Sequence, residues 1–127
     1  MSRRIVPAVS PQAATVGYSR AVREGPQVHV AGTAAIYPEG VETPADPYAQ
    51  AKRCLEIIRD ALAELGAGPA DVVRTRVYLV DAADWEEVGR AHGEVFGDVL
   101  PVTSFVVVAG LLDPRWLVEI EAEAIVA

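Results

Sequence analysis

Cysteine and histidine are scarce in this chain of 127 residues, which contains one cysteine and two histidines. A single cysteine, Cys54, excludes an internal disulfide and a metal site built from cysteines, and we therefore expect a cytoplasmic protein. The sequence signatures of zinc proteases, of glycine-rich phosphate loops and of serine hydrolases are also missing. We therefore predict neither a bound metal nor a cofactor.

Long apolar segments are also missing from the sequence. The longest apolar run, Phe105–Leu112, is far too short to span a lipid bilayer. The basic residues at the start are not followed by the apolar segment of a signal peptide. We therefore expect no association with a membrane.

Basic residues are outnumbered by acidic ones. The chain has 11 Lys and Arg against 18 Asp and Glu, a net charge of −7 and an isoelectric point near 4.7. This balance argues against general binding to nucleic acids, which requires basic patches. The residues are 51% hydrophobic and 23% charged, which is typical of a globular protein, and the length suits one domain covering residues 1–127.

Period-two alternation and short apolar runs predict six strands. By this alternation His29, Ala31 and Thr33 share one face of the third strand, and Val73 shares a face of the fourth strand with Thr75. The predicted strands are Arg4–Pro7, Val16–Val22, Gln27–Ala34, Asp71–Val80, Thr103–Ala109 and Trp116–Val126.

Two amphipathic helices are predicted between these strands. The first begins with Asp46 as N-cap and Pro47 at the first helical position, and it ends before Gly66. The second opens around Asp84, whose spacing to Glu87 resembles a capping box. Apolar stripes at helical spacing comprise Ala51, Cys54, Leu55, Ile58, Leu62 and Leu65 in the first helix, and Val88, Ala91, Val95 and Phe96 in the second.

Together these elements predict an α+β fold, a two-layer domain with one mixed β-sheet and two helices packed on one face. The other face of the sheet would be left uncovered, and its apolar side chains would form an exposed hydrophobic patch. We therefore expect the chain to self-associate.

The last predicted strand carries a row of carboxylates. Glu119, Glu121 and Glu123 alternate with apolar residues and therefore point to one side of the strand. Carboxylates about 6.5–7 Å apart repel one another unless water or cations intervene. The row is either a solvated sheet face or part of a cavity or subunit interface with a functional carboxylate, and the periodicity by itself favours the solvated face.

Four segments, in order along nearly the whole chain, resemble the Rid family of reactive intermediate deaminases, also called the YjgF family and described as endoribonuclease L-PSP-like. The stretch PVTSFVVVAGLLDPRWLVEIEAEAIVA at 101–127 resembles the C-terminal signature of that family. The segments GYSRAV at 17–22, VHVAGTA at 28–34 and DVVRTRVYLVD at 71–81 resemble three other family segments. No single segment is specific, but the set is.

The resemblance implies a chorismate-mutase-like (YjgF-like) fold, a homotrimer and a small-molecule cleft at each subunit interface. It implies a deaminase-like enzyme that hydrolyses a reactive imine, enamine or related small metabolite, with water positioned by Glu119. A trimer that only binds a small molecule would use the same cleft, so the sequence does not separate these alternatives. A ribonuclease or translation inhibitor, an activity attached to some family members, is disfavoured by the acidic composition.

The resemblance also implies which residues form the cleft. Tyr18 aligns with a family tyrosine near the cleft, and Arg90 aligns approximately with an asparagine on the second helix. Ala31 stands where many members have serine, and Phe105 stands where many have cysteine. Thr103 stands where deaminase-active members have the arginine that clamps the substrate carboxylate.

Thr103 is the departure with the largest consequence. A guanidinium grips a carboxylate through two charge-assisted hydrogen bonds, whereas threonine offers one neutral hydroxyl. Losing such a contact in a dry cleft costs about 2–4 kcal/mol. We therefore expect poor deaminase activity on 2-iminopropionate-type acids, and a ligand that is neutral, larger or bound through another group.

Other charged and reactive side chains are expected to have structural positions. Arg74 and Arg76 share a strand face with Tyr78, and we expect these arginines to pair with Glu121 and Glu123, because buried charges need partners. Structural positions are also expected for His29, His92 and Cys54.

Overall fold

The computed structural model describes residues 3–127, which form six strands, three α-helices and two short 3-10 helices. All six predicted strands and both predicted helices are present, with bounds that differ by a few residues from those expected. A short helix in the N-terminal stretch was not predicted. The elements are β1 (Arg4–Pro7), α1 (Ala13–Val16), β2 (Ser19–Glu24), β3 (Gln27–Ala34), α2 (Pro47–Glu64), β4 (Val72–Leu79), α3 (Trp85–Phe96), β5 (Val102–Val107) and β6 (Val118–Ile125).

The six strands form one mixed sheet in the order β1-β2-β3-β6-β4-β5. Only β4 and β5 pair in parallel, and α3 connects them. The strand β6 lies in the middle and pairs antiparallel with both β3 and β4. The helices α2 and α3 pack against each other and cover one face of the sheet, so the predicted two-layer arrangement is confirmed.

The helix α2 forms most of the second layer, and its ends are capped as the sequence predicts. Asp46 accepts a hydrogen bond from the Tyr48 amide at 3.0 Å, and Gly66 adopts a left-handed φ of 77° just after the helix. At the C-terminal end, Arg23 donates to a free carbonyl and so opposes the negative end of the helix dipole. The buried side chains include all of the predicted stripe: Ala51, Cys54, Leu55, Ile58, Leu62 and Leu65.

The start and the last turn of α3 differ from the prediction. Asp84 makes no capping hydrogen bond with its side chain, and Asp81 instead caps a short 3-10 turn that leads into the helix. Val95 is 37% exposed, because Phe96 and the half-buried ring of His92 occupy the core side of this turn. The capping box and the buried position of Val95 were therefore wrong.

Irregular pairing in two strands changes which side chains face the helices. In β3 the register shifts by one residue between Val30 and Thr33, so Thr33 is fully buried and does not share a face with exposed His29. In β4 a similar shift near its start buries Val72 and exposes Val73. Both predictions of shared faces fail here because a β-bulge adds one residue to strict alternation.

The second face of the sheet, which we call the open face, has no helix of residues 3–127 packed on it. Its centre carries the charged side chains of β4 and β6, and its margins carry exposed apolar side chains. No helix in the described part of the chain is long and apolar enough to cross a membrane. The exposed apolar side chains on this face include Ile5, Val102, Val106 and Ile125.

Candidate functional site

A pocket of about 500 Å³ opens beside the central strand, where β2, β3 and β6 meet the loop before β6. Its polar side chains include Tyr18, Arg20 and Glu119, and its apolar wall includes Ile36 and Trp116. Two of the residues implied by the family resemblance, Glu119 and Tyr18, therefore lie together.

Glu119 lies directly over a glycine of the neighbouring strand. Its side chain occupies the space that a Cβ atom on Gly32 would need, because such an atom would overlap the Oε1 atom of Glu119. Burial raises the pKa of the Glu119 carboxyl; Arg20 nearby opposes this rise and Glu121 reinforces it. The Glu119 carboxyl is therefore half-buried and packs against the backbone of Gly32, in space that a larger residue at position 32 would share.

Arg20 borders the same pocket, and sequence analysis did not identify it as a site residue. Its Nη1 atom donates to the Thr33 hydroxyl at 2.6 Å, to the Gly32 carbonyl at 3.0 Å and to the Ala31 carbonyl at 3.4 Å. Burial lowers the pKa of Arg20, but an arginine stays protonated at neutral pH. Its position two residues after Tyr18 on the adjoining strand was the signal that could have identified it.

Tyr18 reaches the pocket because the chain turns sharply before it. The four-residue helix α1 ends at Gly17, which has a left-handed φ of 86°. Tyr18 follows, 39% exposed, and β2 begins at the next residue. The phenol therefore faces the pocket from the rim.

The other four predicted site residues do not border this pocket. Ala31 lies beside it in the β3 bulge, where its carbonyl accepts from Arg20. Arg90 is exposed on α3, pairs with Glu87 at 2.7 Å and stacks on the ring of Tyr48, with Cζ 3.7 Å from the ring centroid. Arg90 thus lies on the solvated face of α3, with its charge paired on the same helix.

Thr103 and Phe105 lie on the helix side of β5, which is the opposite face of the sheet from Glu119. Thr103 hydrogen-bonds the hydroxyl of Thr75 at 2.8 Å, and the same hydroxyl is 2.8 Å from Nε2 of His92. Burial lowers the pKa of His92. This polar chain ties α3 to β4 and β5, and it is not visible in the sequence because its members come from three elements.

The remaining carboxylates of β6 form the predicted pairs. Glu121 accepts from Arg76 at 3.0 Å and from the Tyr78 hydroxyl at 2.9 Å. Glu123 lies 3.7 Å from Arg74. Glu119 is thus the one carboxylate of the row that makes no salt bridge with residues 3–127, which separates it from its two neighbours.

Metal ligands do not cluster in the described residues. Within residues 3–127, no three His, Cys, Asp or Glu side chains lie close enough together to hold a metal ion. Cys54 is fully buried, and burial raises the pKa of its thiol far above the usual range, in agreement with an inert core thiol.

Comparison with known sequences identifies related proteins. Residues 8–126 match the family described as Endoribonuclease L-PSP. An uncharacterised protein of Streptomyces coelicolor, SCO2049, is 44% identical over 121 residues, which cover 95% of this chain and 90% of that protein. The similarity therefore extends over nearly the full length of both chains.

Two solved structures share the fold. Rv2704 of Mycobacterium tuberculosis, a member of the YjgF/YER057c/UK114 family, has a TM-score of 0.90 at 48% identity, and the match covers 98% of this chain and 100% of that chain. TdcF of Escherichia coli, solved with bound serine, has a TM-score of 0.82 at 27% identity, with 98% and 94% covered. The likeness to Rv2704 confirms the predicted α+β fold of the chorismate-mutase-like, YjgF-like type.

Proposed function

Because the chain belongs to the endoribonuclease L-PSP family, which contains the Rid or YjgF-type proteins, we propose that it hydrolyses a reactive imine or enamine in the pocket around Glu119. The observation that carries this proposal is the environment of Glu119. It is a half-buried carboxylate with a raised pKa, free of salt bridges to the described residues, beside a phenol and a guanidinium. A general base is most effective when its pKa lies near the working pH.

The proposed reaction consumes one water and releases ammonium. The carboxylate of Glu119 accepts a proton from water as the water oxygen bonds to the carbon of a protonated imine, whose C=N π electrons move to nitrogen. Glu119 then returns that proton to the nitrogen of the amino alcohol. The C–N bond breaks, ammonia leaves and takes up the remaining hydroxyl proton, and the carbon is left as a carbonyl group.

Tyr18 is proposed to orient the reactants. Its hydroxyl borders the same pocket and can donate one hydrogen bond and accept another. The pocket volume of about 500 Å³ suits a small metabolite. The serine bound to TdcF supports the same size class of ligand.

We further propose that the pocket is completed across subunits in a homotrimer. Thr103 and Phe105 lie on the face of the sheet opposite Glu119, so one chain cannot bring these residues into one pocket. A neighbouring subunit that contributes its β5 edge would do so. The exposed apolar margins of the open face support such an assembly.

The test is hydrolysis of imines generated in solution by an amino-acid oxidase, followed as release of ammonia and carbonyl product. We expect the wild-type protein to accelerate hydrolysis, and Glu119→Gln to reduce the rate about 100-fold or more, because the amide cannot accept the proton. The control is Glu86→Gln, which changes an exposed carboxylate of α3. Equal rates for Glu119→Gln and wild type would contradict the role of Glu119, and a rate no faster than buffer would favour a protein that only binds its ligand.

A further inference from the structure

Arg20 uses only one side of its guanidinium within the described chain. Nη1 makes all three of its hydrogen bonds, to the backbone and hydroxyl of the β3 bulge. Neither Nε nor Nη2 donates to any atom of residues 3–127. Every buried side-chain nitrogen or oxygen of the described residues has a hydrogen-bond partner. Nε and Nη2 of Arg20 have none among these residues, so these atoms are exposed to solvent. The solvent-filled space that Arg20 borders is the pocket.

The other arginines are paired with backbone carbonyls or acidic side chains of the described chain. Arg4 and Arg23 donate to the carbonyls of Glu64 and Leu65 at the C-terminal end of α2. Salt bridges with acidic side chains are formed by Arg3, Arg53, Arg59, Arg74, Arg76, Arg90 and Arg115.

Nε and Nη2 form the side of a guanidinium that holds a carboxylate through two parallel hydrogen bonds. Arg115 of this chain provides an example, because its Nε and Nη2 donate to the two carboxylate oxygens of Asp113 at 3.0 and 2.7 Å. In Arg20 this same side is free. Its orientation is fixed beforehand, because the Nη1 bonds hold the guanidinium plane, and less entropy is lost on binding.

We propose that Arg20 is the anion-binding residue of the pocket and holds a carboxylate of the ligand through Nε and Nη2, with the reacting carbon facing Glu119. This inference rests on the proposed function, since it assigns the ligand class of the same pocket. It also departs from the expectation drawn from Thr103, which was a ligand that is neutral, larger or bound through another group. Arg76 and Arg90 are already paired with Glu121 and Glu87.

A pair of small methyl ketones tests the proposal without any need for turnover. Pyruvate carries a carboxylate, and pyruvamide has nearly the same shape with a neutral amide. By calorimetric or NMR titration of the wild-type protein, we expect pyruvate to bind more tightly than pyruvamide. Arg20→Gln should weaken pyruvate binding about ten- to a hundred-fold and leave pyruvamide binding unchanged.

Two further variants complete the experiment. Arg59→Gln, the matched control, changes an exposed arginine of α2 that lies outside the pocket and should leave both affinities unchanged. Arg20→Lys keeps the positive charge but cannot form the two parallel hydrogen bonds, so its affinity for pyruvate should be intermediate. This variant also decides the question if Arg20→Gln does not fold. Equal binding of pyruvate by wild type and both Arg20 variants would overturn the proposal, as would failure of pyruvate to bind the wild-type protein.

The outcomes separate this inference from the proposed function. Imine hydrolysis that requires Glu119 but tolerates Arg20→Gln would overturn the anion-binding role and leave the hydrolase intact. Conversely, pyruvate binding that requires Arg20, in a protein without hydrolytic activity, would support the anion site and reject the hydrolase.

Discussion

At the scale of single residues, the geometry of the site depends on a glycine, Gly32, which has no side chain. Gly32 lies in the β3 bulge, and its lack of a Cβ atom makes room for the carboxylate of Glu119. Arg20 binds the carbonyl of the same glycine from the other side. The position of the proposed base is therefore set by the shape of the backbone beneath it.

Gly32→Ala should destabilise the protein by up to about 1 kcal/mol, because the new methyl group overlaps the end of the flexible Glu119 side chain and must displace it. In a Glu119→Ala background the same substitution should cost little, since the overlapping atoms are gone. Denaturant unfolding of the four proteins of this double-mutant cycle measures the difference. Gly93→Ala, where an added Cβ meets nothing within 4 Å, is the control. Equal costs in both backgrounds would show that the overlap with Glu119 is not the cause.

Glu119→Gln should raise the melting temperature at neutral pH. The pKa of Glu119 is raised by burial above its ordinary 4.5, so the folded state favours the protonated form. The stability that this preference contributes is complete below the unfolded pKa and is lost as the pH rises through the folded pKa. A glutamine does not ionise and loses nothing.

The gain in melting temperature should therefore be near zero below about pH 4, grow as the pH rises through the folded pKa of Glu119, and then level off. Melts of wild type and Glu119→Gln across this range measure it, and Glu86→Gln is again the control. A gain that is largest in acid would have the wrong sign for a carboxyl with a raised pKa.

At the scale of secondary structure elements, alternation predicts the faces correctly only where pairing is regular. The central strand β6 pairs with β4 in regular register from Val118 to Glu123, and its predicted core residues Val118, Ile120 and Ala122 are buried. In β3 the bulge moves Thr33 into the core. Gly32, an isolated glycine inside a strand pattern, was a signal for that bulge, because such glycines often mark one.

The two paired carboxylates of β6 should differ in their contribution to stability. Glu121 accepts hydrogen bonds from both Arg76 and Tyr78, whereas Glu123 accepts none from residues 3–127 and lies 3.7 Å from Arg74 and 3.6 Å from His29. We therefore expect Glu121→Gln to lower the melting temperature more than Glu123→Gln does. Thermal melts at low and high salt measure this, and salt should reduce both effects because these groups are partly exposed. An equal or reversed order would show that the hydrogen bonds of Glu121 add no stability.

At the scale of the whole molecule, the open face is the surface through which we expect the chain to self-associate. It combines a charged centre with exposed apolar margins, and two of the predicted site residues face away from Glu119 within one chain. Light scattering should therefore give a mass of about 40 kDa, three times the 13.5 kDa of one chain. A monodisperse monomer at micromolar concentration would reject the trimer and the shared pocket.

The fold was predictable from the sequence, and the site was predictable only in part. Alternation, helix caps and the Glu119 row identify elements and one carboxylate, because these signals are local in the sequence. Arg20 acquires its position from a bulge in another strand, and the Thr103 hydroxyl is held by Thr75 and His92 on other elements. Contacts of this kind depend on three-dimensional packing, which no local pattern contains.

The central position of β6 has a consequence for how the chain is made. Because β6 follows the other five strands in the sequence and pairs with both β3 and β4, a growing chain cannot complete its sheet until β6 has left the ribosome. Until then the edges of β3 and β4 have no partner, and unpaired strand edges are templates for aggregation. The nascent chain therefore depends on rapid closure by β6, and this long-range pairing makes folding slow compared with that of a helical protein of similar size.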